Sequence, residues 1–167
     1  LYAMVSRNLD SKFRFVCFTE NSLGIRPEVE VQELPKVDLP PGSPERGWRK
    51  LTVFKKDFGG LSGPTLFLDL DVVIVGNLDV LFSQPGNFLI AHDKKNSKKR
   101  EGNSSVFRFE IGKYPQILDY FEKNSEQVKI LFHGLPNPPE AIIGRSGKWY
   151  RHIQPSPWIQ DYWTTNE

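Results

Sequence analysis

The sequence predicts an α/β protein, and three observations predict it. Segments with helical spacing alternate with short apolar segments of strand character along the chain, the pattern of a layered α/β domain rather than of a bundle or a sandwich. The segment Thr65 to Val75 is an apolar, β-branched run bounded by glycines, the strongest strand signal in the chain. Finally, 167 residues with 38% hydrophobic and 25% charged side chains suffice for one packed core and a soluble surface. We therefore read residues 1–167 as a single domain.

The elements follow in order. Leu1, Met4, Val5 and Leu9 share one helical face, and Phe13 to Phe18 reads as a short buried strand. Helix before strand implies a first strand ahead of Leu1. Residues 19–24 are turn-like, Val29 to Leu34 alternates as a half-exposed strand, and Pro35 to Gly47 carries four prolines, which makes it a loop. Trp48, Leu51 and Phe54 fit a helix stopped near Gly59-Gly60. The strand Thr65 to Val75 is closed by Gly76-Asn77 and followed by a short helical piece at Asp79 to Phe82. Asn87 to Ala91 and Ser105 to Phe109 read as strands on either side of a basic loop. Tyr114 to Asn124 is helical, and Val128 to Phe132 is a last strand before a tail rich in Pro, Gly and Trp. A mixed, mostly parallel sheet flanked by helices accommodates this order.

Composition excludes several classes. The 22 basic and 20 acidic residues leave a net charge of +2, too weak a field for a nucleic-acid-binding domain. Cys17 is the single cysteine, so neither an internal disulfide nor a cysteine-based zinc site can form. No apolar run approaches the roughly 20 residues of a membrane span, and no targeting signal is recognisable, which places the expected setting in the cytoplasm.

The sharpest chemical feature is Asp69-Leu70-Asp71 inside the apolar run. Residues two apart on a strand face the same way, so the two carboxylates are expected together, with Leu68 and Leu70 opposite. Carboxylates that close repel each other, and a hard cation such as Mn²⁺ or Mg²⁺, completed by water and substrate phosphates, resolves the repulsion. The alternative is structural: one Asp caps the following turn and the other pairs with a basic side chain. His133 can complete a mixed oxygen and nitrogen site or act as a hydrogen-bonded structural residue, and Gly134 permits close backbone approach to a phosphate. Asn103-Ser104-Ser105 is either a turn that bonds its own backbone or a set of neutral donors for sugar hydroxyls. Lys50 is placed to reach a diphosphate if it is not simply a solvated helix residue. The run Lys94, Lys95, Lys98, Lys99 and Arg100 reads as a solvated loop, with contact to a pyrophosphate or an anionic membrane surface as the other reading. Trp149, Trp158 and Trp163 cover the core or stack on sugars.

Taken together, the segment Leu66-Phe-Leu-Asp-Leu-Asp-Val-Val-Ile-Val-Gly-Asn-Leu-Asp-Val-Leu-Phe82, preceded by Trp48-Arg-Lys-Leu51 and followed by Asn103-Ser-Ser-Val-Phe-Arg-Phe109 and Phe132-His-Gly134, resembles nucleotide-sugar glycosyltransferases of the Rossmann-like GT-A fold. It is similar to bacterial proteins akin to glycosyltransferase family 8, the retaining galactosyl- and glucosyltransferase group. The resemblance implies that Asp69 and Asp71 are the Asp-x-Asp pair holding Mn²⁺ or Mg²⁺ and the donor diphosphate, with His133 as third protein ligand. It also implies that Lys50, Asn103, Ser104 and Gly134 line the donor, a nucleoside diphosphate sugar of the UDP-sugar type. A glycan, a lipid-linked sugar or a protein hydroxyl would be the acceptor, with peripheral contact at the inner membrane where the acceptor is lipid-linked. Against the family pattern, the first strand is expected before Leu1, the acceptor-side segment is reduced to Glu126-Gln127, and Asn137 stands where a lysine often follows the late histidine. Two other readings use the same residues. One is a truncated binding remnant of the same fold. The other is a haloacid-dehalogenase-like phosphatase with Asp69 as nucleophile, for which no downstream acidic cluster is present.

Overall fold

A computed structural model of the chain describes residues 1–38, 48–92 and 102–124, together with residues 157 and 160. The described elements are a mixture of helix and strand. In order they are α1 (Tyr2–Asn8), β1 (Val16–Phe18), β2 (Glu30–Gln32), a 3₁₀ helix (Arg49–Phe54), β3 (Pro64–Leu68), α2 (Asp79–Ser83), β4 (Leu89–His92), β5 (Gly102–Glu110) and α3 (Pro115–Asn124). The expected strand at Val128 to Phe132 lies outside the described residues.

The strands form two sheets. β1 and β2 pair in parallel, with Val16 opposite Glu30 and Phe18 opposite Gln32. The second sheet has the order β3-β5-β4. Asp69 N–H donates to the Ser105 carbonyl at 2.9 Å, and Ile111 N–H donates to the Gly63 carbonyl at 3.2 Å. One partner number rises as the other falls, so β3 and β5 are antiparallel. The expected mostly parallel sheet is thus corrected among the described residues: one small parallel pair stands beside a larger sheet with an antiparallel core pair. Parallel and antiparallel pairing use the same apolar patterns and differ only in how the chain returns, which local sequence does not encode.

Chain contacts divide the molecule into two compact units. In one, built from residues 13–65 and 108–132, the described part is an aromatic core. Trp48 stacks on Phe121 at 4.4 Å, Phe54 meets Phe109 edge-on at 5.4 Å, and Phe18 lies 4.2 Å from Phe58. Val53, Phe54, Phe58, Phe109, Leu118 and Phe121 are buried here. The apolar spacing of Leu118 and Phe121, three apart, gives α3 the face it buries. Gly112 adopts φ +79, and a Cβ there would stand 2.8 Å from the Lys56 carbonyl oxygen, so this turn requires glycine.

The other unit contains residues 1–12 and 66–107. Helix α1 buries Ala3, Met4 and Val5, of which Met4 and Val5 belong to the expected face, whereas Leu1 and Leu9 flank the helix and are half-buried. Phe107 of β5 lies between two rings, stacked on Phe67 at 4.8 Å and on Phe88 at 5.9 Å. Among the described residues no helix is long and apolar enough to cross a membrane.

Candidate functional site

β3 ends at Leu68, seven residues short of what its apolar run suggests. Val72 N–H donates back to the Asp69 carbonyl at 3.2 Å, closing a four-residue turn over Asp69, Leu70, Asp71 and Val72. Asp at the first position favours such a turn because its side chain competes for nearby amides. The expectation that the two aspartates sit inside a buried strand is therefore corrected. Leu70 is 73% exposed, Asp71 is exposed and Asp69 is half-buried. Two carboxylates placed at the surface carry little of the desolvation cost that a strand interior would impose. Beyond the turn, Ile74 and Leu78 are buried at 4% and 7% exposure and draw the chain back to the core.

The backbone of this turn is held at both ends. At its start, the Asp69 amide is bonded to the Ser105 carbonyl of β5. Two residues before Ser105 on the same strand lie Asn103 and Ser104, both exposed. The antiparallel register brings the Asn103-Ser104 end of β5 to the same end of the sheet as the Asp69 turn. Asn103 Oδ1 accepts the Ser105 N–H at 2.9 Å, the backbone-bonding role that its residue type favours.

At the far end, four hydrogen bonds join the chain to the C-terminal end of α1 and the two residues beyond Leu9. Leu78 N–H donates to the Asn8 carbonyl at 2.6 Å. Asp79 Oδ2 accepts the Asp10 N–H at 2.8 Å, and Oδ1 accepts both the Ser11 N–H at 3.2 Å and the Ser11 hydroxyl. Asp79 N–H in turn donates to Asn77 Oδ1 at 2.6 Å. The Ser11 hydroxyl, and after it the Asp10 and Ser11 amides, hold the Asp79 carboxyl below the usual carboxylate range. This residue was not singled out from the sequence. Its signal is Asn77-Leu78-Asp79, an Asx residue two before the start of a helix, which marks a turn but does not tell what the Asp79 carboxylate accepts.

Of the expected donor and metal residues, the structure thus places Asp69, Asp71, Asn103 and Ser104 within one unit and at one end of one sheet. Lys50 lies in the 3₁₀ helix of the other unit and is half-buried. His133, Gly134, Glu126-Gln127, Asn137, the basic run at residues 94–100 and Trp149, Trp158 and Trp163 fall outside the described residues. Among the described residues no group of three or more His, Cys, Asp or Glu is placed to hold a metal ion.

Chemically, the turn offers oxygens to solvent. The Asp71 carboxylate has no hydrogen bond or ion pair to another described residue, and surface pairs such as Arg14 with Glu30 and Arg26 with Glu28 lie elsewhere. The exposed Asp71 carboxylate, with half-buried Asp69 two residues before it, is an oxygen donor of the type that suits a hard divalent cation, which keeps several waters. Comparison of the chain with protein-family models, with curated proteins and with solved structures returned no match.

Proposed function

We propose that the chain is a metal-dependent glycosyltransferase of the Rossmann-like GT-A type, moving a sugar from a nucleoside diphosphate sugar to a hydroxyl acceptor. One observation carries the reading. The two aspartates stand on a hydrogen-bonded turn directly after the carboxyl end of β3, with exposed Asn103 and Ser104 at the same end of the sheet. The acidic pair after the carboxyl end of β3 and the neutral polar pair at the amino end of the antiparallel β5 thus gather at one end of this sheet. The resemblance of the motifs to glycosyltransferase family 8 supports a UDP-sugar donor and, by analogy, retention of anomeric configuration.

Asp69 and Asp71 fit a Mn²⁺ or Mg²⁺ ion by chemistry and exposure, with His133 proposed as a third ligand and Gly134 as the approach of the backbone to phosphate. Such an ion neutralises charge on the leaving diphosphate. The chain's own residues have the remaining tasks. Asn103 and Ser104 orient the donor sugar, and the hydrogen-bonded backbone of the turn sets the spacing of Asp69 and Asp71. The acceptor is a glycan, a lipid-linked sugar or a protein hydroxyl, and the setting is cytoplasmic, with peripheral contact at the inner membrane.

Calorimetric titration with UDP, with and without Mn²⁺, tests this reading. Saturable binding that requires Mn²⁺ and disappears in Asp71→Ala, with an unchanged unfolding transition, is the expected result. Metal-independent binding, or an Asp71→Ala protein that binds as the parent does, overturns it.

A further inference from the structure

We infer that Asp79 is a positioning residue for the Asp69-Val72 turn, the far anchor of a segment whose near anchor is the sheet. The inference concerns the metal-bearing segment and so rests in part on the proposed function. Residues 70–77 run between two fixed points. At one, the Asp69 amide is bonded to Ser105 at 2.9 Å. At the other, the Asp79 carboxylate gathers the Asp10 amide at 2.8 Å, the Ser11 amide at 3.2 Å and the Ser11 hydroxyl, beside the 2.6 Å bond from Leu78 to Asn8. Between them only Ile74 is deeply buried, while Leu70 and Val75 are 73% and 58% exposed. Packing therefore supplies one attachment in this stretch, and the course of the backbone depends on its two hydrogen-bonded ends.

A carboxylate is suited to the far anchor because both of its oxygens accept and neither donates. It meets two amides and a hydroxyl that all donate. An amide side chain of the same size presents an N–H₂ to one of those donors, so Asp79→Asn removes the arrangement with almost no change in shape. The loop from α1 is itself firm, since Asn8 Nδ2 donates to the Met4 carbonyl at 2.8 Å and Met4 is 2% exposed. The anchor thus ties the acidic segment to a buried helix rather than to a free end.

Nuclear magnetic resonance on the full chain tests the inference without any metal. In Asp79→Asn, the Asp10 and Ser11 amides exchange about tenfold faster, the factor that corresponds to losing one charge-assisted hydrogen bond. The Leu70, Asp71 and Val72 amides shift with them, and amides of Leu118 and Phe121 in α3 do not. Asp79→Glu, which keeps the carboxylate, restores part of both effects. Titration with Mn²⁺ alone, read by water-proton relaxation, then weakens about threefold to tenfold in Asp79→Asn, less than the ~10–100-fold typical when a group bonded directly to a metal ligand is removed. Turn amides that stay in place while Asp10 and Ser11 are released overturn the positioning role, as does Mn²⁺ affinity unchanged in a protein whose parent binds through Asp71. A parent that binds no Mn²⁺ through Asp71, but whose turn moves in Asp79→Asn, upholds the positioning role and overturns the metal reading instead.

Discussion

The aromatic core around Phe121 and the acidic turn at Asp69 to Val72 are built on different principles. The first is held by what it removes from water: Phe54, Phe58, Phe109 and Phe121 are all at most 7% exposed, and their rings meet in stacked, tilted and edge-on pairs. The second is held by hydrogen bonds at exposed positions and keeps a leucine 73% exposed between two carboxylates. Burial is non-directional and gives stability, whereas hydrogen bonds between named atoms set geometry at little net energy. Stability and chemical potential are thereby kept in separate places, and substitutions are expected to divide along the same line.

The largest effect is expected in the core. Phe121→Ala removes a ring 2% exposed and stacked on Trp48 at 4.4 Å, and chemical denaturation should show a loss of about 3–5 kcal/mol. Next comes Gly112→Ala, which sets a Cβ 2.8 Å from a backbone oxygen at φ +79 and should cost about 1–3 kcal/mol in the same assay. A smaller effect belongs to the Asp79 anchor and is read as pH dependence. Its carboxyl is held below its ordinary value in the folded state, so the folded protein binds fewer protons than the unfolded one. The contribution is complete above about pH 4 and fades as the pH falls through the lowered value. Between neutral and acid pH, Asp79→Asn should therefore lose less stability than the parent. The smallest change in stability is expected for Asp71→Ala, within about 0.5 kcal/mol for an exposed site without structural bonds, although it abolishes metal-dependent UDP binding. A large destabilisation by Asp71→Ala would break the comparison, because the turn would then be structural after all.

Helices and strands were legible to the extent that their signal was local. The buried face of α1 at Met4 and Val5, the buried face of α3 at Leu118 and Phe121, and the position of β5 all follow from apolar spacing. The predicted strand through Val75 failed for a physical reason. Val72, Val73, Ile74 and Val75 favour a strand one by one, but Asp69 and Asp71 cannot enter a sheet interior without partners, and a turn lets both reach water. The helix expected from Trp48 to near Gly59-Gly60 is a shorter 3₁₀ helix over Arg49–Phe54, since the spacing of apolar residues does not separate the helix types. Of the candidate site, the Asp pair and Asn103-Ser104 stood out because charged and Asx residues beside apolar runs are conspicuous. The bond from the Asp69 amide to the Ser105 carbonyl and the role of Asp79 did not, because a backbone carbonyl has no sequence signature and the partners of Asp79 lie 68 and 69 residues away.

That separation has a consequence for the order in which the protein forms. The turn from Asp69 to Val72 closes among four neighbouring residues, whereas the bond from Ser11 to Asp79 spans 68 residues, and the entropy of closing a loop rises with its length. During synthesis at about 5–20 residues per second, several seconds pass between the appearance of Ser11 and that of its acceptor. Helix α1, made before the other described elements, is thus fastened only once Asp79 has been made, and the acidic turn can form as a local bend before its far anchor has closed.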